Sequence, residues 1–126
     1  MIKSINTKVD LVIDATSFSG LAEYGQIMIG DKGFEFFNGR DARKFIQIPW
    51  EEVNFIIASV LFKGKWIPRY AIETKRNGTF TFASKNPKTV LRAIRHHAKE
   101  EQMVRSQTFF AVLKRAFQQL WRMKTQ

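Results

Sequence analysis

The sequence predicts an α+β domain that is mainly antiparallel β. The expected body is a strongly bent sheet or small barrel of about seven strands, with a closing helix and an extra amphipathic helix at the C-terminal end. Three observations predict it. Short β-branched and aromatic runs, several of them alternating apolar with polar residues, fill positions 8–84 between glycine, proline and asparagine punctuation. No helical stretch separates these runs, which disfavours a parallel doubly wound sheet. At Asn86-Pro87 the apolar spacing changes from strand to helix period. The 126 residues make one domain, 1–126. A chain of this size buries roughly two-thirds of its unfolded surface, enough for a core without disulfides or metal.

Val9-Asp10-Leu11-Val12-Ile13 opens the body as a strand, followed by a Ser/Gly segment ending near Gly20. Gly25 to Ile29 and Phe34 to Phe37 flank Gly30-Asp31-Lys32-Gly33, whose glycines are expected to supply positive φ to a hairpin turn. After the loop Asn38-Gly39-Arg40-Asp41, Lys44 to Ile48 forms a strand closed by Pro49, which has no amide hydrogen for a ladder. Val53 to Phe62, the longest apolar stretch, reads as a strand buried on much of both faces and therefore central. Phe62-Lys63-Gly64-Lys65 turns the chain into the strand Trp66 to Thr74. Asn77-Gly78, both tolerant of the left-handed conformation of a type I′ turn, leads to the strand Thr79 to Phe82.

Helix 87–99 begins with Asn86 as N-cap and Pro87 at the first position, where a missing donor costs nothing. Val90, Leu91, Ile94 and Ala98 share its inner face, with Arg92, Arg95 and Lys99 pointing away. A second helix, 106–123, carries Phe109, Phe110, Val112, Leu113, Ala116, Phe117, Leu120 and Trp121 on about half its wheel and Lys114, Arg115, Gln118, Gln119 and Arg122 on the rest.

The formal charge is +10, from 21 Lys and Arg against 11 Asp and Glu. Half of that excess lies in residues 105–126, where Arg105, Lys114, Arg115, Arg122 and Lys124 meet no acid. Charge of this sign favours anionic partners: nucleic acid, an anionic membrane surface or an acidic protein. With no cysteine the chain has no thiol nucleophile, cysteine zinc site or iron–sulfur centre, in keeping with a reducing cytoplasm. Its apolar runs fall far short of the ~20 residues of a spanning helix, and the expectation is a cytoplasmic protein, peripheral at most to the inner membrane face.

Signatures of chemistry are sparse. Gly20 to Gly25 has the glycine spacing of a phosphate loop, but Gln26-Ile27 stands where a lysine and a hydroxyl would hold phosphate and magnesium. His96-His97 are helix neighbours pointing ~100° apart, unlike a chelating pair three or four residues apart, and read as solvated residues of a helix end. Glu51-Glu52 face different ways and read as a surface turn after Pro49-Trp50. Asn77-Gly78-Thr79 matches a glycosylation acceptor, although the turn already explains the asparagine. The reading is therefore non-enzymatic: no catalytic residue, no cofactor, no metal.

Two features suit an interaction surface. One is the basic aromatic turn of Lys63, Lys65 and Trp66 with Arg69 nearby, able to meet an anionic interface. The commoner arrangement of such a turn points its tryptophan into the core. The other is the C-terminal helix with Arg105, Lys114, Arg115, Trp121 and Arg122, whose apolar half needs burial in the core, in a homodimer seam through helix 106–123 or against a partner.

The runs Lys8-Val9-Asp10-Leu11-Val12, Gly30-Asp31-Lys32-Gly33-Phe34-Glu35-Phe36, Ile46-Gln47-Ile48-Pro49-Trp50-Glu51-Glu52, Gly64-Lys65-Trp66-Ile67-Pro68-Arg69 and Met103-Val104-Arg105-Ser106 resemble a known family. It comprises small proteins encoded beside mannose-type phosphotransferase sugar transporters in lactic acid bacteria and relatives. That family is a domain of unknown function often labelled a mannose-operon regulator, and the resemblance spans nearly the whole chain. The strand order, the Asn77-Gly78 hairpin and the closing helix are also similar to pleckstrin-homology-like and GRAM-like domains, in which a phrase like Ile48-Pro49-Trp50-Glu51-Glu52-Val53 joins two strands. Helix 106–123 is extra to that pattern. The resemblance implies an adaptor or regulator with transporter subunits or an anionic membrane surface as partner. A nucleic-acid-binding regulator of the operon is the alternative, less favoured because no helix-turn-helix signature is present.

Overall fold

The computed structural model of the chain describes residues 3–18, 21–41, 43–61 and 65–106. Within them, eight strands and one α-helix run in the order β1 (Val9–Ser17), β2 (Glu23–Gly30), β3 (Gly33–Asn38), β4 (Phe45–Pro49), β5 (Val53–Ser59), β6 (Tyr70–Thr74), β7 (Thr79–Ser84), α1 (Pro87–Arg95) and β8 (Met103–Ser106). Short 3-10 turns cover Trp50–Glu52 and Glu100–Gln102. The strands form one open sheet in the order β4-β3-β2-β1-β7-β6-β5-β8. Every pairing of these strands is antiparallel except β5 with β8, which is parallel. The fold is α+β and mostly antiparallel, as the sequence predicts.

The sheet is bent so far that its own inner faces meet. Phe34 and Phe36 of β3 pack on Phe82 of β7 with ring centroids 5.0 and 5.8 Å apart, although β2 and β1 lie between those strands in sheet order. Ile27, Ile29, Ile48, Val53, Ile56, Tyr70 and Ile72 complete this interior, all nearly or fully buried. Helix α1 adds Val90 and Ile94, spaced four apart and wholly buried, and lies against β1, β2 and β7. The Tyr70 hydroxyl donates to Ser84 Oγ at 2.8 Å, and burial pushes its pKa well above the ordinary phenol value.

Several expectations are corrected. The described residues hold eight strands, because Met103–Ser106 is a strand on β5; Ser106, the expected start of the second helix, ends it. The remainder of helix 106–123 lies outside the described residues. β5 is penultimate in the sheet and is not buried on both faces: Val53, Ile56 and Ala58 are buried, whereas Phe55 is exposed and Ile57 half-buried, so central placement is not needed. The strand expected from Trp66 begins at Tyr70, after Pro68. Neither Gly30 nor Gly33 has positive φ. They are glycines for space: a Cβ on Gly30 would lie 2.4 Å from the Lys8 carbonyl oxygen, and one on Gly33 2.4 Å from that of Ile48. In the Lys75–Gly78 turn Gly78 alone is left-handed, at φ 80°, so the turn is not type I′. Its geometry is held by Thr74, whose hydroxyl donates to the Gly78 carbonyl at 2.6 Å and accepts from Asn77 N. Asn86 is itself left-handed and caps with its backbone carbonyl, which accepts from Thr89 N and Val90 N; its side chain makes no cap bond.

An N-terminal strap, Ser4 to Lys8, is tied across the β2–β3 hairpin. Glu35, fully buried, accepts from Ser4 Oγ, Ile5 N, Asn6 Nδ2 and Gln47 Nε2. Asn6 Oδ1 accepts from Lys32 N and Gly33 N, both at 2.8 Å. Asp31 accepts from the Thr7 hydroxyl and from the backbone N–H groups of Thr7 and Lys8, which lowers its pKa to about 2.

Candidate functional site

Helix α1 carries its cations at positions 88, 92 and 95, spacings of four and three that put Lys88, Arg92 and Arg95 along one flank. With Val90 and Ile94 turned to the core, that flank overhangs half-buried Leu91 and faces β5 and β8. The space between is a groove of about 570 Å3. Ile56 and Ala58 of β5, Val60 and Ile67 of the following loop, Leu91, Met103 and Val104 give it an apolar lining. Lys88, Arg92, Arg95 and Arg105 stand around it, with Glu100 the one acid among its lining residues.

None of these four cations forms an ion pair with another described residue; the pairs that occur among the described residues are Arg43–Asp41, Lys44–Glu23 and His97–Asp10. β8 reaches the groove because Gln102 anchors its start: the Gln102 side-chain amide donates to the carbonyls of Val53 (2.9 Å) and Asn54 (3.2 Å) and accepts from Lys99 N.

Beside the groove is the predicted basic aromatic turn. Leu61 and Trp66 exchange backbone hydrogen bonds at 2.8 and 3.2 Å, closing the loop whose next residue, Ile67, lines the groove. Trp66 is 52% exposed, so it does not take the commoner core arrangement: residue 66 sits in the bridge closing the loop, ahead of the strand that enters the core at Tyr70. Lys65 and Arg69 are exposed, and the Arg69 guanidinium lies over the Phe18 ring at 4.2 Å. Of the other predicted interface residues, Arg105 is on the groove, while Lys63, Lys114, Arg115, Trp121 and Arg122 lie outside the described residues.

His97 departs from the expectation of a solvated helix end. Its ring stacks on Trp50 at 5.0 Å and 10°, and its Nε2 is 2.8 Å from Asp10 Oδ2. Trp50 Nε1 in turn donates to the Gly30 carbonyl at 2.9 Å. These contacts tie the helix end to β1 and to the turn after β4, since Asp10, Trp50 and His97 come from three separate segments. His96 is exposed. Among the described residues no three His, Asp or Glu side chains gather as a metal would require, and no helix is long and apolar enough to cross a membrane.

Sequence reading misses the groove. Arg92 and Arg95 read as the solvated side of an amphipathic helix, and nothing in their spacing tells that β8 would rise opposite them. The available signal is Met103-Val104-Arg105-Ser106, four residues of strand character after Gln102.

A solved structure described as the C-terminal domain of an unknown protein from Leishmania infantum has a similar fold, with a TM-score of 0.63 and 15% identity over 71% of this chain and 83% of that one. No curated protein matches the sequence. The model of a family described as "Domain of unknown function (DUF956)" matches residues 1–117, a span that contains the whole of strap, sheet, helix and groove, and the chain belongs to that family.

Proposed function

We propose that the chain is a non-enzymatic adaptor or regulatory protein of a mannose-type phosphotransferase sugar-uptake system, working at the cytoplasmic side through protein or membrane-surface contacts on a pleckstrin-homology-like fold. One observation carries this reading: four cations without ion-pair partners among the described residues surround a groove of mixed polar and apolar lining, which suits an anionic partner better than a reaction. The exposed Lys65, Trp66 and Arg69 beside it extend the same chemistry. Family resemblance supplies the transporter subunits as the partner, and a homodimer through the C-terminal segment after β8 is compatible with it. In-cell crosslinking followed by affinity recovery tests the proposal. Transporter subunits or inner-membrane association at low salt are expected; recovery of neither removes its basis. A nucleic-acid regulator is the competing reading, and promoter DNA bound at about 50 mM salt with a steep salt slope would favour it.

A further inference from the structure

Resting on that adaptor reading, we infer that the groove between α1, β5 and β8 is a docking site for an acidic amphipathic protein segment, with its apolar side chains on the floor and its carboxylates on Lys88, Arg92, Arg95 and Arg105. Charge complementarity selects the occupant. Four cations against Glu100 leave a strongly positive rim. A second copy of the same groove would repel it. The chain's own residues 107–126 carry Lys114, Arg115, Arg122 and Lys124 with no acid, so they offer this rim no opposite charge. Shape separates a peptide from a membrane. Membrane insertion uses protruding apolar side chains, whereas Ile67, Leu91 and Met103 are only partly exposed and line a concavity that accepts incoming side chains. The volume lies within the roughly 300–1,000 Å3 of compact ligand sites, enough for a few anchoring side chains.

The test is fluorescence anisotropy of the full chain with labelled Leu/Glu peptides, one at helical and one at alternating spacing, beside Leu/Lys counterparts and phosphatidylglycerol vesicles. At least one Leu/Glu peptide is expected to bind, weakening with salt, and the Leu/Lys peptides not to bind. Reversal of the rim by Arg92→Glu with Arg95→Glu is expected to weaken binding about tenfold or more. Lys32→Glu with Arg76→Glu, the same charge change on residues that do not line the groove, is expected to change it less than about threefold. The uncharged Val104→Asn, at an exposed lining position, is expected to weaken it without altering the salt slope.

Equal effects of the two charge-reversed pairs, or no binding of either Leu/Glu peptide, overturns the inference, and vesicle binding that alone depends on the rim assigns the site to a membrane instead. In cells, transporter subunits recovered equally by wild type and Arg92→Glu/Arg95→Glu would sink the groove and leave the adaptor standing. Recovery by neither sinks the adaptor reading itself.

Discussion

Replacing Glu35 by glutamine changes almost no volume and removes one charge, so its cost is set by the hydrogen bonds that the carboxylate accepts. Oε1 accepts from Ser4 Oγ and from Asn6 Nδ2 at 2.8 Å; Oε2 accepts from Ile5 N at 3.3 Å and Gln47 Nε2 at 2.8 Å. An amide has a single oxygen, so its NH2 must face one of these donor pairs. The Ser4 hydroxyl can turn to accept, but neither pair can convert as a whole. Asn6 cannot flip, because its Oδ1 already accepts from Lys32 N and Gly33 N, and Ile5 N is a backbone donor. Gln47 could turn only by giving up its bond to the Lys3 carbonyl at 2.7 Å. Glu35→Gln therefore loses at least one hydrogen bond to a buried charged acceptor, which places the destabilisation at roughly 1.5–3 kcal/mol. For a chain of this size the melting temperature should fall by roughly 10 °C. Urea unfolding followed by tryptophan fluorescence gives the free energy, and hydrogen exchange should show residues 4–8 losing protection first. A variant within about 0.5 kcal/mol of wild type, with residues 4–8 still protected, would refute the claim that this carboxylate holds the strap.

Asp31→Asn should destabilise in a pH-dependent way. The folded pKa, about 2, lies below the ordinary carboxyl value of 3.8, so the contribution of Asp31 is full above 3.8 and fades as pH falls toward 2. Denaturation of both proteins from pH 6 to about 2 should show their difference shrinking, and a constant difference would contradict the assignment. His97→Ala removes the Trp50 stack and the Asp10 pair and should cost about 1–2 kcal/mol with a shift in tryptophan emission, while His96→Ala stays near neutral. Gly25→Ala, whose Cβ would lie 2.0 Å from the Phe37 carbonyl oxygen, should cost more than about 3 kcal/mol. Gly78→Ala, strained at φ 80° but in open space, should cost about 1 kcal/mol; equal thermal shifts for the two glycine variants would go against this account.

Much of the fold is legible in one dimension because it rests on local rules. The β2–β3 hairpin, the strand ended by Pro49 and the inward face of α1 come from alternation, from proline's missing donor and from the spacing of Val90, Leu91 and Ile94. The errors fall where a residue answers to something distant. Gly30 and Gly33 are glycines because Lys8 and Ile48 come close, and no local pattern names those neighbours. His97 reads as a solvated helix end because Asp10 and Trp50 are 87 and 47 positions away. Glu35 alternates with apolar neighbours as a solvent-facing strand residue would, and only the returning strap makes that face interior.

Composition and periodicity by themselves determined the class of this protein: a cysteine-free, basic, mainly antiparallel domain with a helix after its first seven strands and no local catalytic motif. Those properties are sums and short-range repeats, and a sequence displays them directly. Tertiary structure alone decided that Arg92 and Arg95 meet Arg105 across one groove, because the parallel strand β8 returns to β5 over the intervening β6, β7 and α1. The charge of +10 is written in the chain, whereas the gathering of four of its cations at one concave surface depends on how a bent sheet brings residues 56 to 105 together.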